Sequence, residues 1–125
     1  MSDKKLLTPL ELKVMNLLWT KKKAFVKELL ENWPNDEKKP AYNTISTIIR
    51  LLEDKGFVAH ESFGRTHRYF PKITKFAYQK THLSSVLANV FSGSTSSLVS
   101  ALLENEQIDE GDLTDIQDLI DKSKE

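Results

Sequence analysis

The chain has 125 residues, of which 39% are hydrophobic and 29% charged, with eighteen basic and eighteen acidic side chains and no cysteine. That length fits one domain, or one domain with a small appendage, and the lack of thiols excludes disulfides, thiol redox chemistry and cysteine-based zinc sites. No apolar run approaches the roughly 20 residues that span a bilayer. Residues 1–7 have two lysines but no apolar core after them, so a cytoplasmic protein with no signal peptide and no membrane insertion is expected.

The net charge of zero hides a division. Residues 1–82 hold sixteen of the eighteen Lys/Arg and nine Asp/Glu, a net +7, whereas residues 83–125 hold two Lys and nine Asp/Glu, a net −7. Such asymmetry points to a nucleic-acid-facing part and a part with another task.

Taken in chain order, Thr8-Pro9-Leu10-Glu11 is a helix start. Thr8 caps, Pro9 suits the first helical position, and Glu11 completes a capping box. Leu10, Val14, Leu17 and Leu18 then recur at helical spacing, widened by Met15 and Trp19, until the lysines at 21–23. A second short helix is expected over about 26–33, with Val26, Leu29, Leu30 and Trp33 on one side. Pro34 stops it, and residues 35–40 form a polar connector.

The third helix is expected over 42–55. Ile45, Ile48, Ile49 and Leu52 stand at i, i+3, i+4 and i+7 and face a core, so Asn43, Ser46, Thr47, Arg50 and Asp54 face away from it. Gly56 supplies the left-handed cap. Two β-rich runs follow, 57–62 and 67–70, around a four-residue turn at 63–66 that sets Glu61 across from Arg68 and His60 across from Tyr69. A helix feeding a basic hairpin is the layout of a winged helix-turn-helix. The fold class expected is therefore mainly α. A winged-helix domain of three helices and a hairpin wing covers 1–73, and a three-helix segment covers 74–125.

In that second segment Thr74 caps a long helix to residue 91 with a stripe of Leu83, Val86, Leu87, Val90 and Phe91. Ser92-Gly93-Ser94 breaks it. A helix over about 95–104 carries Leu98, Val99 and Leu102, and a last one capped by Asp109 carries Leu113, Ile116, Leu119 and Ile120. Some fifty residues seldom bury enough surface to be stable alone, so two copies are expected to close this core on each other as a homodimer through residues 75–122.

For chemistry, the exposed face of the third helix offers amide, hydroxyl and guanidinium groups suited to base edges and phosphates. The expected contacts to double-stranded operator DNA are Tyr42, Asn43, Thr44, Ser46, Thr47 and Arg50 on the helix, with Arg65, His67 and Arg68 on the wing. Small hydroxyls are poor choices for a merely solvated helix. His60, His67 and His82 match no zinc spacing, so no metal is expected. No catalytic constellation or phosphate-cradling glycine loop is present in the sequence, so neither enzyme activity nor a cofactor is expected. The alternative to DNA binding is a winged helix used for protein contact, with the acidic half as the docking surface.

The pieces LTPLELKVMNLLW, YNTISTIIRLLEDKGFV, GRTHRYFP and FSGSTSSLVSALLENEQID, in that order and spacing, resemble the BlaI/MecI family of penicillinase and methicillin-resistance repressors. The resemblance implies an N-terminal winged helix, a C-terminal three-helix segment interlocked with a second copy, and repression through a palindromic operator. Carried over by position, the family's DNA contacts fall on Asn43, Thr44, Ser46 and Thr47, with the wing around Arg65. The family often has arginine where this chain has Leu51. In its β-lactam branch a membrane-bound sensor protease cuts an Asn-Phe bond, which aligns with Ala101-Leu102 here. The copper-responsive branch has a C-terminal cysteine cluster, and this chain has none.

Overall fold

The computed structural model describes residues 6–105 and 107–123, without the side chains of Ile120 and Ser123, so the assembly role expected of Ile120 lies outside the described residues. Among the described residues the order is α1 (Pro9–Lys21), β1 (Ala24–Phe25), α2 (Val26–Glu31), α3 (Tyr42–Asp54), β2 (Val58–Phe63), β3 (Thr66–Pro71), α4 (Lys75–Asn89), α5 (Thr95–Leu103) and α6 (Glu110–Ser123). No helix of these residues is long and apolar enough to cross a membrane.

The capping box opens α1 as the sequence implies. The Thr8 N–H donates to Glu11 Oε1 at 2.9 Å, and the Glu11 N–H donates to Thr8 Oγ1 at 3.2 Å. Lys22 ends the helix at φ 73°, and its N–H donates to Leu18 O at 2.7 Å. This left-handed exit turns the chain into β1. Two residues are too few to show a period, and the sequence gives no sign of this strand. It pairs antiparallel with β3, Ala24 opposite Tyr69 and Phe25 opposite Arg68, to give a sheet ordered β1-β3-β2.

The core lies between these strands and the first three helices. Val14, Met15 and Leu18 of α1 meet Leu29 of α2, Ile45, Ile49 and Leu52 of α3, and Phe57, Val58 and Tyr69 around the hairpin, all buried. Ile48 is only partly buried at the edge of this cluster. α2 stops at Glu31, two residues short of Trp33, but Trp33 is still buried. α3 ends in a Schellman motif. Gly56, at φ 87°, donates to Glu53 O at 3.0 Å, and the Phe57 N–H donates to Leu52 O at 2.9 Å.

One buried carboxylate ties helix to helix. Glu11 on α1 accepts from Lys55 Nζ at 2.7 Å, just past the end of α3. Burial pushes the Glu11 carboxyl up. The Lys55 ammonium and the Thr8 amide outweigh that and hold it below the ordinary carboxylate value.

The chain divides into two compact units, Met1–Thr81 and His82–Glu125, with the division inside α4. The first runs past residue 73 because Tyr78 is a core residue. It is 4% exposed, its ring lies 6.1 Å from those of Trp19 and Phe57, and its hydroxyl accepts from the Leu7 N–H at 3.0 Å. Thr74 caps α4 as expected, its Oγ1 accepting from the Ala77 N–H at 3.0 Å, but the helix ends at Asn89 rather than at residue 91, because the Phe91 and Gly93 amides turn back to Val86 O and Leu87 O, and Val90 and Phe91 lie just beyond it.

The second unit has sound local chemistry, but its described side chains form no core. Ser94 caps α5, accepting from the Ser97 N–H at 3.1 Å, and Asp109 and Asp112 form a reciprocal box at the start of α6. Yet no described side chain from residue 82 onward is buried. Leu83, Val90 and Leu119 are 54%, 69% and 66% exposed. Val86, Leu87, Phe91 and Leu98 are half-buried, and Val99, Leu102, Leu113 and Ile116 are exposed.

Candidate nucleic-acid interface

The outward side of α3 is built to stay available. Its N-cap residue Ala41 has no side-chain cap, and its first turn holds no acid. The leading N–H groups, which carry the positive end of the helix dipole, therefore meet no counter-charge from their own helix. Tyr42, Asn43, Thr44, Thr47, Arg50 and Leu51 are exposed and Ser46 is half-buried. Arg50 donates from Nε to Ser46 O at 3.2 Å, which lays its guanidinium along the helix surface.

The wing turns tighter than the sequence implies. Phe63 pairs with Thr66, so the loop is the two residues Gly64 and Arg65 rather than four. Gly64 sits at φ 63° with Arg65 in the ordinary negative range, as a II′ hairpin turn requires at its first central position. The expected pairs Glu61–Arg68 and His60–Tyr69 are nonetheless the observed ones, because shortening the loop symmetrically leaves the register unchanged.

Between α3, the wing and the start of α2 lies a cleft of about 640 Å3. Tyr42, Ser46 and Arg50 line it from α3, and Arg65, Thr66, His67 and Tyr69 from the hairpin. Of the residues expected to touch DNA, the fold thus gathers Tyr42, Ser46, Arg50, Arg65 and His67. Asn43, Thr44 and Thr47 stand on the exposed side of α3 outside the cleft.

Arg68 is placed differently. Adjacent strand residues face opposite ways, so His67 turns to the cleft and Arg68 to the other side of the sheet. There its Nη2 bonds Glu61 Oε1 at 3.0 Å, its guanidinium lies 4.8 Å from the Phe63 ring centre, and Lys23 reaches the same carboxylate at 3.4 Å. The Arg68 hydrogen bond, aided by Lys23, holds the Glu61 carboxyl below its ordinary value.

Phe25, Val26, Lys27 and Glu28 complete the cleft wall, and sequence reasoning did not single them out for a site. The pairing of β1 with β3 is what brings them beside the wing, and two residues carry no periodic signal of it. Behind the cleft, Glu53 Oε2 lies 2.7 Å from His60 Nδ1, and the His60 ring stacks on His67 with centroids 3.9 Å apart. Burial, then the charge of Glu53, raises the Tyr69 phenol above its ordinary value. Among the described residues no group of three or more His, Cys, Asp or Glu is placed to hold a metal ion. Ala101 and Leu102 are both exposed on α5.

The family model described as "Penicillinase repressor" matches residues 7–122. The methicillin resistance regulatory protein MecI of Staphylococcus aureus (strain N315) is 24% identical over 112 residues, covering 90% of each chain. The penicillinase repressor of Bacillus licheniformis is 25% identical over 114 residues, covering 91% of this chain and 88% of that one. Among solved structures, the solution structure of the DNA binding domain of the repressor BlaI superposes with a TM-score of 0.51 at 25% identity, over 60% of this chain and 90% of that one. The winged-helix architecture is thereby shared.

Proposed function

The chain belongs to the penicillinase repressor family, and we propose that it is a cytoplasmic homodimeric transcriptional repressor that binds a palindromic duplex operator. α3 enters the major groove, and the β2–β3 wing lies on the neighbouring backbone. The observation that carries this reading is the convergence of α3 and the wing on one cleft, with Arg50, Arg65 and His67 at its walls, inside a half of the chain that carries net +7.

The parts suit the task. A helix of roughly 10–12 Å diameter fits a major groove about 12 Å wide. Asn43, Ser46 and Thr47 can donate to and accept from base edges, and Arg50 can fork onto a guanine or a phosphate. The uncapped N-terminus of α3 adds N–H donors for a phosphate beside Thr44. Arg65 at the wing tip meets phosphate or a narrow minor groove. Arg68, held by Glu61, acts at most as wing stiffening.

The second reading element is pairing. The apolar side chains left open on α4, just beyond its end, and on α5 and α6 support a helical dimerisation unit from residue 82 onward, in which Leu83, Val86, Leu87, Val90, Phe91, Leu98, Val99, Leu102, Leu113, Ile116 and Leu119 cover those of a second copy. A dimer sets two α3 helices in successive major grooves, about 34–36 Å or a multiple apart, and occludes a promoter between them.

Selection of bound duplexes from a random pool, followed by gel shifts at two salt concentrations, tests this reading. The expected result is two inverted half-sites and binding that falls steeply with salt. A chain that binds no duplex at low salt would instead be a protein-contact module docked through its acidic half.

A further inference from the structure

A row of side chains ties α3 to the wing. Glu53, near the end of α3, meets His60 of β2 at 2.7 Å. The His60 ring lies 6° from parallel with that of His67 on β3. Tyr69 packs beside both imidazoles, at 5.6 Å and 6.0 Å between ring centres. His67 then lines the same cleft wall as Arg65. On its other face the hairpin is braced by β1, whose Ala24 and Phe25 pair with Tyr69 and Arg68 midway along β3 and whose Phe25 ring meets that of Phe63 at 5.7 Å. Beyond those rungs the hairpin is a two-stranded ribbon, which twists readily, and on the cleft side the row ties His67, nearer the turn, back to α3.

We propose that Glu53 and His60 are positioning residues that, through the stacked His67, set the angle between the wing and α3, and that a proton on His60 locks that angle for DNA. The proposal rests on the DNA-binding reading above. The titratable groups that meet the pair are His67 and Tyr69 from β3, and the cleft in front of it is lined by Tyr42 and Arg50 from α3, Arg65 from the turn, and Lys27 and Glu28 from α2. Glu28 is already engaged, its Oε1 accepting from the Phe25 N–H at 2.8 Å. Glu53 is the acid on the His60 ring. A carboxylate acceptor makes the contact charge-assisted whichever form the imidazole takes, and a proton on His60 adds the attraction of opposite charges. A brace of this kind tightens when His60 carries a proton, so acidification is the perturbation that tests it.

Both side chains are close to 30% exposed (29% for His60 and 31% for Glu53), so solvent weakens the pair and the expected effect is small, about threefold in affinity. The experiment uses the full chain and a fluorescein-labelled duplex recovered from the random pool, with anisotropy read at pH 6 and pH 8 at one salt concentration. Native protein, Glu53→Gln, Arg65→Ala and the double variant are compared. Affinity of the native protein is expected to rise about threefold from pH 8 to pH 6. Glu53→Gln removes that rise, and in its background Arg65→Ala costs less at pH 6 than it does in the native chain. A full pH response in Glu53→Gln, together with an additive effect of Arg65→Ala, overturns the proposal.

Nitrogen-15 relaxation of the free protein separates this from failure of the DNA reading. The amides of residues 64–66 are expected to be more mobile in Glu53→Gln than in the native chain at pH 6, whether or not any duplex binds. Equal mobility overturns the brace. A native chain that binds no duplex at either pH, but shows the mobility difference, overturns the DNA reading and leaves the brace standing.

Discussion

The two units use the same helical patterning and finish it differently. In the first, α3 buries Ile45, Ile49 and Leu52 completely against α1, α2 and the sheet. In the second, the stripe of α6 leaves Leu113 and Ile116 at 40% and Leu119 at 66% exposure. Apolar surface of this extent on a monomer usually marks a site of association. A single copy therefore completes the face proposed for DNA, while the other half leaves its apolar stripes open. The split in charge follows the same line, basic where the face is finished and acidic where it is not.

The comparison is broken most strongly by charging the unfinished half. Ile116→Asp with Leu119→Asp is expected to prevent pairing and to lower operator affinity by about a hundredfold or more, since each half-site is then held without its tethered neighbour. Anisotropy measures the loss, and far-UV circular dichroism with an unchanged near-UV signal from Trp19 and Trp33 reports that the first unit survives. Affinity within tenfold of native would separate DNA binding from this surface.

Leu52→Ala tests the finished half. Removing this fully buried side chain should cost about 2–5 kcal/mol in urea denaturation, whatever the protein concentration. Leu119→Ala, by contrast, should lower stability only as far as pairing is lost, and so in a concentration-dependent way. Arg65→Ala comes next, with about a tenfold loss spread equally over all duplex sequences and a shallower salt slope. A change of sequence preference at unchanged overall affinity would assign Arg65 to base reading instead.

The smallest effect concerns acid. The Glu11 carboxyl lies below its ordinary value in the folded chain, so its contribution is present above roughly pH 4.5 and is lost as pH falls through the folded value. Glu11→Gln should lower the urea midpoint at pH 7, and the gap from native should close toward pH 3. A gap that stays constant with pH would show that packing, rather than charge, fastens α1 to Lys55.

Much of the first unit is legible in the sequence because its signals are local. The box at Thr8 and Glu11, the stripe Ile45, Ile49, Leu52 and the stop at Gly56 each depend on residues within a few positions. The hairpin register is legible too, although its turn is two residues and not four. What escapes is set by distant partners. β1 is recognisable only by its pairing with β3, forty-odd residues later, and with it goes the cleft wall of Phe25, Lys27 and Glu28. Tyr78 belongs to the first core although it lies on a helix that reads as part of the second segment. The side of the sheet taken by Arg68 was available from strand alternation, since a residue next to His67 must face the other way, and the cross-strand Glu61 marks the same fact. In the second unit the helices and caps are legible, and what covers their stripes is not, because the cover proposed is a second copy, which the pattern of one chain does not specify.

Sedimentation velocity of the full chain at micromolar concentration bears most directly on the contrast between a finished and an unfinished half. A single species of twice the 14.3 kDa chain mass, returning to the chain mass in the Ile116→Asp, Leu119→Asp variant, is the result the account predicts. A native protein that sediments only as a 14.3 kDa particle would contradict it.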